Sequence, residues 1–169
     1  MSRREEIVDA AQGLLEREGP EALTMRRVAA VLGIKAPSLY KQITGKAELE
    51  AALQARALQQ QATAFAEASD LSEMAAAYRR WALDHPQLYQ LLTRRPLDRT
   101  LVAAELEAAA AAPLLSVCHN DIDRARALWG VAHGLVDLEL ARRFPADADI
   151  DRVWSVAIAA FSAGAADHG

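Results

Sequence analysis

The chain has 169 residues, 52% of them apolar and 25% charged, with a formal net charge of −4. That is enough to bury one sizeable core, or a small module beside a larger one. The single cysteine, Cys118, excludes an internal disulfide and fits a reducing cytosol. The opening MSRREEIVDAAQ turns polar and acidic at once and no apolar run approaches the ~20 residues that span a bilayer, so the expectation is a soluble cytoplasmic protein with no membrane partner.

Helical spacing recurs along the chain, while strand signals are almost absent and neither an Asn-Gly nor an Asp-Gly hairpin turn occurs. The fold class expected is all-α, with about nine helices. The first opens on a capping box, Ser2 answered by Glu5, carries the stripe Ile7, Ala11, Leu14 and Leu15, and stops at Gly19-Pro20. Thr24 can cap a second helix running to about residue 32, and a third covers 36–42. A fourth begins near Gly45 and carries Leu49, Leu53, Leu58 and Phe65 away from this small module. Further helices are expected at 71–84, 86–94 and 97–112, broken by Pro86, Pro96 and Pro113. Asn120 caps a long helix to about residue 144, ended by Pro145, and the last runs over about 149–165. The alanine run 108–112 is biased composition on a helix.

The stretch VAAVLGIKAPSLYKQI, residues 28–43, has the pattern of a helix-turn-helix. Two helices joined by a short turn need a small residue where they cross and a glycine where the chain reverses. Ala29 and Gly33 meet those needs, glycine because it reaches positive φ without steric cost. Val28, Leu32, Ile34, Leu39 and Ile43 make the shared apolar seam. Pro37 falls in the first turn of the next helix, where its missing N–H breaks nothing. Charge agrees with this reading. Residues 20–47 hold Arg26, Arg27, Lys35, Lys41 and Lys46 against one acid, Glu21, so a +4 segment sits in an otherwise acidic chain. All three lysines lie within 35–46. A second helix fronted by Lys35, Ala36, Pro37 and Ser38 and followed by Tyr40 and Lys41 suits a DNA major groove, with short side chains towards base edges and Lys and Tyr on phosphates.

LTMRRVAAVLGIKAPSLYKQITGKAELEAAL resembles the DNA-binding segment of TetR-type bacterial transcriptional regulators, and Gly33, Ile34, Leu39-Tyr40 and Lys46 carry the match. Gln42-Ile43 replaces the family's usual His-aromatic pair, and Lys35 stands where a capping serine is common. A second piece, ALWGVAHGLVDLEL at 127–140, is similar to the Trp-x-x-x-His-Gly element of one TetR-like subgroup's regulatory domain. The resemblance implies a DNA-binding domain at 1–47 and a ligand-sensing and dimerisation domain at 48–169. It also implies that Tyr40 and Lys46 hold phosphates, Lys46 beside the free N–H groups opening helix four. Thr24, Arg27, Lys35, Ala36, Pro37, Ser38 and Lys41 are the other candidate DNA contacts, with Arg27 preferred over Arg26.

One reading head makes few contacts, so a homodimer on a palindromic double-stranded operator is expected. The two C-terminal helices suit that pairing. Residues 122–140 are apolar around most of their circumference, Gly130 and Gly134 permit close approach, and Ile150, Val153, Trp154, Ala157, Ile158 and Phe161 stripe the last helix. Met74, Tyr78, Trp81 and His85 fall on one face at helical spacing, with Tyr89 nearby. With Trp129 and His133 they are candidates for a small apolar or aromatic effector, although a stripe at helical spacing is more often core and a histidine such as His133 more often packed. Catalysis is not expected: Cys118-His119 and Asp84-His85 are adjacent pairs that diverge by about 100° on a helix. Neither a phosphate-cradling glycine loop nor metal-ligand spacing is present, so no cofactor is expected. The reading is a dimeric DNA-binding repressor released by a small ligand, the alternative an all-helical protein-binding module with no DNA role.

Overall fold

The computed structural model describes residues 2–163, and among these the structure is all helix. Its nine α-helices are α1 (Arg3–Glu18), α2 (Met25–Val31), α3 (Ala36–Tyr40), α4 (Lys46–Phe65), α5 (Leu71–Asp84), α6 (Pro86–Arg94), α7 (Ala104–Val117), α8 (Ile122–Leu140) and α9 (Ile150–Ala163), with a 3-10 turn at Pro20–Ala22. The chain divides into two compact units. The first gathers the chain up to Gln60 with His85–Glu107, and the second gathers Gln61–Asp84 with the described residues from Ala108 onward.

In the first unit α1 begins as its capping box dictates, Ser2 accepting from the Glu5 N–H and the Glu5 carboxylate accepting from Ser2. It ends on Gly19 at φ 78°. Ile7, Ala11, Leu14 and Leu15 are fully buried, as the helical period requires. The N-terminus of α6 has no side-chain cap of its own. Glu16 of α1 supplies one, its two carboxylate oxygens accepting from the N–H groups of Gln87 at 3.1 Å and Leu88 at 2.9 Å. The buried Gln54 amide of α4 donates to the carbonyls of Leu91 and Pro96 at 3.4 and 3.3 Å.

In the second unit α5 buries Leu71, Met74, Ala75, Tyr78, Trp81 and Ala82, α8 buries Ala125, Leu128, Ala132 and Val136, and α9 buries Trp154 and Ile158. Arg79 of α5 reaches Glu139 of α8 through Nε at 3.1 Å and Nη2 at 3.0 Å, and Asp151 of α9 through Nη1 at 2.6 Å. Trp154 Nε1 donates to the other Glu139 oxygen at 2.6 Å. The Arg79 guanidinium also lies 5.8 Å from the centre of the Trp154 ring.

Five boundaries differ from the sequence expectation, most of them for a local reason. The helix expected over 97–112 is α7, displaced to 104–117, because Asp98 gathers the Thr100 N–H and hydroxyl at 2.9 and 2.6 Å and forms a turn instead. Pro113 does not break α7 but sits inside it. Ala109, whose carbonyl loses its partner, is exposed and open to hydration. Asp121, not Asn120, caps α8, accepting from Asp123 N and Arg124 N at 3.1 and 3.0 Å. His119 and Asn120 instead take positive φ and end α7 with paired 5→2 and 6→1 bonds. The same motif closes α8 at Leu140, four residues before Phe144, with Arg142 at φ 52°. The third helix is also shorter than expected, ending at Tyr40 with Gln42 in the following turn. The expected end of the last helix at residue 165 lies outside the described residues.

Candidate nucleic-acid interface

Local sequence builds the elbow at residues 24–43. The Thr24 hydroxyl accepts from Arg27 N at 3.3 Å and opens α2. Gly33, at φ 64°, donates to the Ala30 carbonyl at 3.1 Å, and Ile34 N donates to Ala29 at 3.0 Å, closing the helix and reversing the chain. Lys35 follows in an extended conformation and has no capping side chain, as its replacement of serine implied. Pro37 lies in the first turn of α3. Val28, Leu39 and Ile43 are fully buried, Ala29 is nearly so, and Leu32 and Ile34 are half-buried at the edge of the seam.

The opposite face is open. Thr24, Lys35, Pro37, Ser38, Tyr40 and Lys41 are exposed, and Ala36 is half-buried. Among the described residues the side chains of Lys35, Ser38, Tyr40 and Lys41 have no partner within the chain. Tyr40 is 49% exposed, pointing away from the side on which its neighbour Leu39 is buried. The two arginines of α2 differ in a way the sequence did not reveal. Arg27 is held by Glu18 at 2.6 Å, whereas Arg26 is exposed without a partner among the described residues.

Lys46 opens α4, 3.8 Å from Glu50. The turn before it is tied to α1 by residues the sequence reading did not single out. Arg4 Nη1 donates to the Gln42 carbonyl at 2.8 Å and to Glu48 Oε1 at 2.6 Å. The other Glu48 oxygen accepts from Thr44 N and Thr44 Oγ1, both at 2.8 Å. The Thr44 N–H above all, then Arg4 and the Thr44 hydroxyl, pull the Glu48 carboxyl down from the usual 4.5 to about 2.

The candidate effector residues are dispersed. Met74, Tyr78 and Trp81 lie on the buried face of α5 in the second unit. His85 is the residue before α6 and, with the fully buried Tyr89, belongs to the first unit. Met74 and Tyr78 line a small apolar cavity with Ala75, Leu114, Leu128, Trp129 and Ala132. The space open to water there is about 20 Å³, room for one molecule. Trp81 and His133 are not in its lining, although the Trp129 and His133 rings lie 6.2 Å apart.

Comparison with known proteins decides the family. Residues 7–53 match the model for bacterial regulatory proteins of the tetR family, and residues 71–161 match the tetracyclin repressor-like C-terminal domain. The chain belongs to the TetR family. It is 33% identical to an uncharacterised HTH-type transcriptional regulator of Mycobacterium tuberculosis, over 95% of this chain and 80% of that one. Over 43 residues, 25% of this chain and 16% of the relative, it is 51% identical to the HTH-type transcriptional repressor DrrR1 of Streptomyces coeruleorubidus. Among solved structures, the multidrug binding protein EbrR complexed with ethidium superposes with a TM-score of 0.72 at 25% identity, covering 96% of this chain and 98% of that one. The protein is therefore a TetR-family transcriptional regulator with a helix-turn-helix DNA-binding domain, and the elbow at 24–43 lies inside the matched N-terminal segment. No described helix is long and apolar enough to cross a membrane.

Proposed function

We propose that this regulator is a cytoplasmic repressor that binds a palindromic operator as a homodimer and is released by a small apolar or aromatic ligand. The reading divides the chain into a DNA-binding domain at 1–47 and a sensing and dimerisation domain at 48–169. The observation that carries it is the partnerless face of α3. Lys35, Ser38, Tyr40 and Lys41 stand in solvent on one side of a helix whose other side is anchored by Leu39. Thr24, Tyr40, Lys41 and Lys46 take phosphates, while Lys35, Ala36, Pro37 and Ser38 approach base edges. Arg27 stays in the contact set once phosphate displaces Glu18, and Arg26 needs no such displacement.

Pairing through α8 and α9 is supported by apolar side chains that both helices leave uncovered. Trp129, Val131 and Leu138 of α8 are 50%, 38% and 41% exposed, and Val156 of α9 is 61% exposed. An added Cβ at Gly130 or Gly134 meets nothing within 4 Å, so the surface beside them is free for a second backbone. A ligand enters by enlarging the cavity beside Met74, Tyr78 and Trp129, with Trp81 and His133 of the same unit as further candidates; His85 and Tyr89 are candidates of the first unit by themselves. EbrR, whose bound ethidium is a planar aromatic, motivates that ligand class for this chain. Differential affinity for the DNA-competent and DNA-incompetent states then sets release.

The test is selection of bound fragments from random duplexes, followed by titration of the recovered sequence. Cationic phosphate contacts from Lys41, Lys46 and Arg27, about six per dimer, give a slope of log affinity against log salt near −5. Recovery of no preferred sequence, or affinity indifferent to salt, refutes the reading.

A further inference from the structure

Between the buried Ile43 and the buried Leu49, the chain has little packing to fix it. Thr44, Lys46 and Ala47 are exposed, and a Cβ added at Gly45 would meet nothing within 4 Å. Yet Lys46, in the middle of this segment, must hold one position if it is to meet a phosphate. From Lys46 on the backbone is held by the first turn of α4, Leu49 N donating to the Gly45 carbonyl at 3.0 Å, while the turn ahead of it is tied by polar contacts, in part from α1. One Arg4 nitrogen bridges the Gln42 carbonyl, just after α3, and the Glu48 carboxylate in the first turn of α4. Glu48 in turn closes on Thr44 through two hydrogen bonds. Arg4 thus ties the chain on both sides of the turn to α1, and Glu48 carries that tie on to Thr44. The strong depression of the Glu48 carboxyl fits a charge held by several donors at once.

The geometry points to Arg4 and Glu48 as positioning residues for operator binding, fixing the turn that presents Lys46 without touching the DNA themselves. The inference rests on the phosphate role assigned to Lys46 above. Charge and geometry make opposite demands here, which permits a clean test. If the pair mattered only through its charge near the duplex, Glu48→Gln would tighten binding by removing a repulsion and Arg4→Met would weaken it. A positioning role requires both to weaken binding.

The experiment measures affinity for the selected operator, and its salt dependence, for the full-length wild type, Arg4→Met, Glu48→Gln, the double variant and Lys46→Ala. Lys46→Ala is also combined with Glu48→Gln, and Thr44→Val serves as a milder break of the same clasp. Thermal melting establishes that each variant is folded at the assay temperature. Both single changes are expected to weaken binding about 5-fold and the double change no further than about 10-fold, because one device is being broken. Lys46→Ala is expected to cost about 10-fold in the wild type and under about 3-fold once Glu48→Gln has loosened the turn. Opposite effects of Arg4→Met and Glu48→Gln, or an equal cost of Lys46→Ala in both backgrounds, overturn the inference while leaving the DNA reading intact. Failure of the wild type to bind any duplex refutes both.

Discussion

Replacing Glu139 by alanine removes the acceptor on which three helices of the second unit converge. Its side chain is 11% exposed and accepts from Arg79 twice and from Trp154 once. Loss of the carboxylate leaves the Trp154 N–H, in a residue only 6% exposed, without its partner. Such an orphaned donor costs about 1–3 kcal/mol. Arg79 would keep Asp151, but that carboxylate is 86% exposed and holds a quarter-exposed guanidinium only weakly. Breaking a buried pair costs about 3–5 kcal/mol, and access to water at Arg79 brings the combined loss to the low end, about 3 kcal/mol. Glu139→Gln retains an acceptor and should cost about half as much, whereas Asp151→Ala should stay within about 1 kcal/mol. Urea unfolding followed by far-ultraviolet circular dichroism at one fixed protomer concentration measures all three. The reasoning is wrong if Asp151→Ala destabilises as much as Glu139→Ala, or if the latter moves stability by less than about 1 kcal/mol.

Other outcomes follow from the same geometry. Gly33→Ala should cost about 1 kcal/mol in urea unfolding, since a Cβ there meets nothing within 4 Å and only the left-handed backbone penalises it. Glu16→Ala removes the only side-chain acceptor seen at the α6 N-terminus among the described residues and should lower stability by about 1–2 kcal/mol. Glu48 has a folded pKa below its unfolded value, so its stabilisation is complete above about pH 4.5 and disappears as pH falls towards 2. Acid titration of Glu48→Gln should therefore show a shallower loss across that window than the wild type. Tyr40→Ala and Lys46→Ala should weaken all duplexes by about 10-fold, whereas changes at Ser38 or Lys35 should alter which sequence is selected. Uniform loss from all four would refute that division of roles.

What could be read from the sequence was local chemistry. Ser2 with Glu5, Thr24, Gly33 and Pro37 each act within a few residues, and the helices they open start where expected. The ends of α7 and α8 were harder, because His119, Asn120 and Arg142 take a backbone conformation usually marked by glycine. His85 did carry a signal. It precedes Pro86, which disfavours helical backbone in the residue before it, and at φ −129° it leaves the stripe that Met74, Tyr78 and Trp81 share. Arg4 and Glu48 are 44 positions apart, and no periodicity connects them. The choice between Arg26 and Arg27 likewise depended on Glu18, nine residues from Arg27.

Every lysine of the chain stands exposed, either within the elbow or as the first residue of α4. The side-chain amines open to an acylating reagent or an amine-coupled sensor surface therefore all lie in this one region, while every arginine would keep its charge. With the DNA contacts proposed above, protein immobilised that way would bind weakly, so the duplex is the partner to tether.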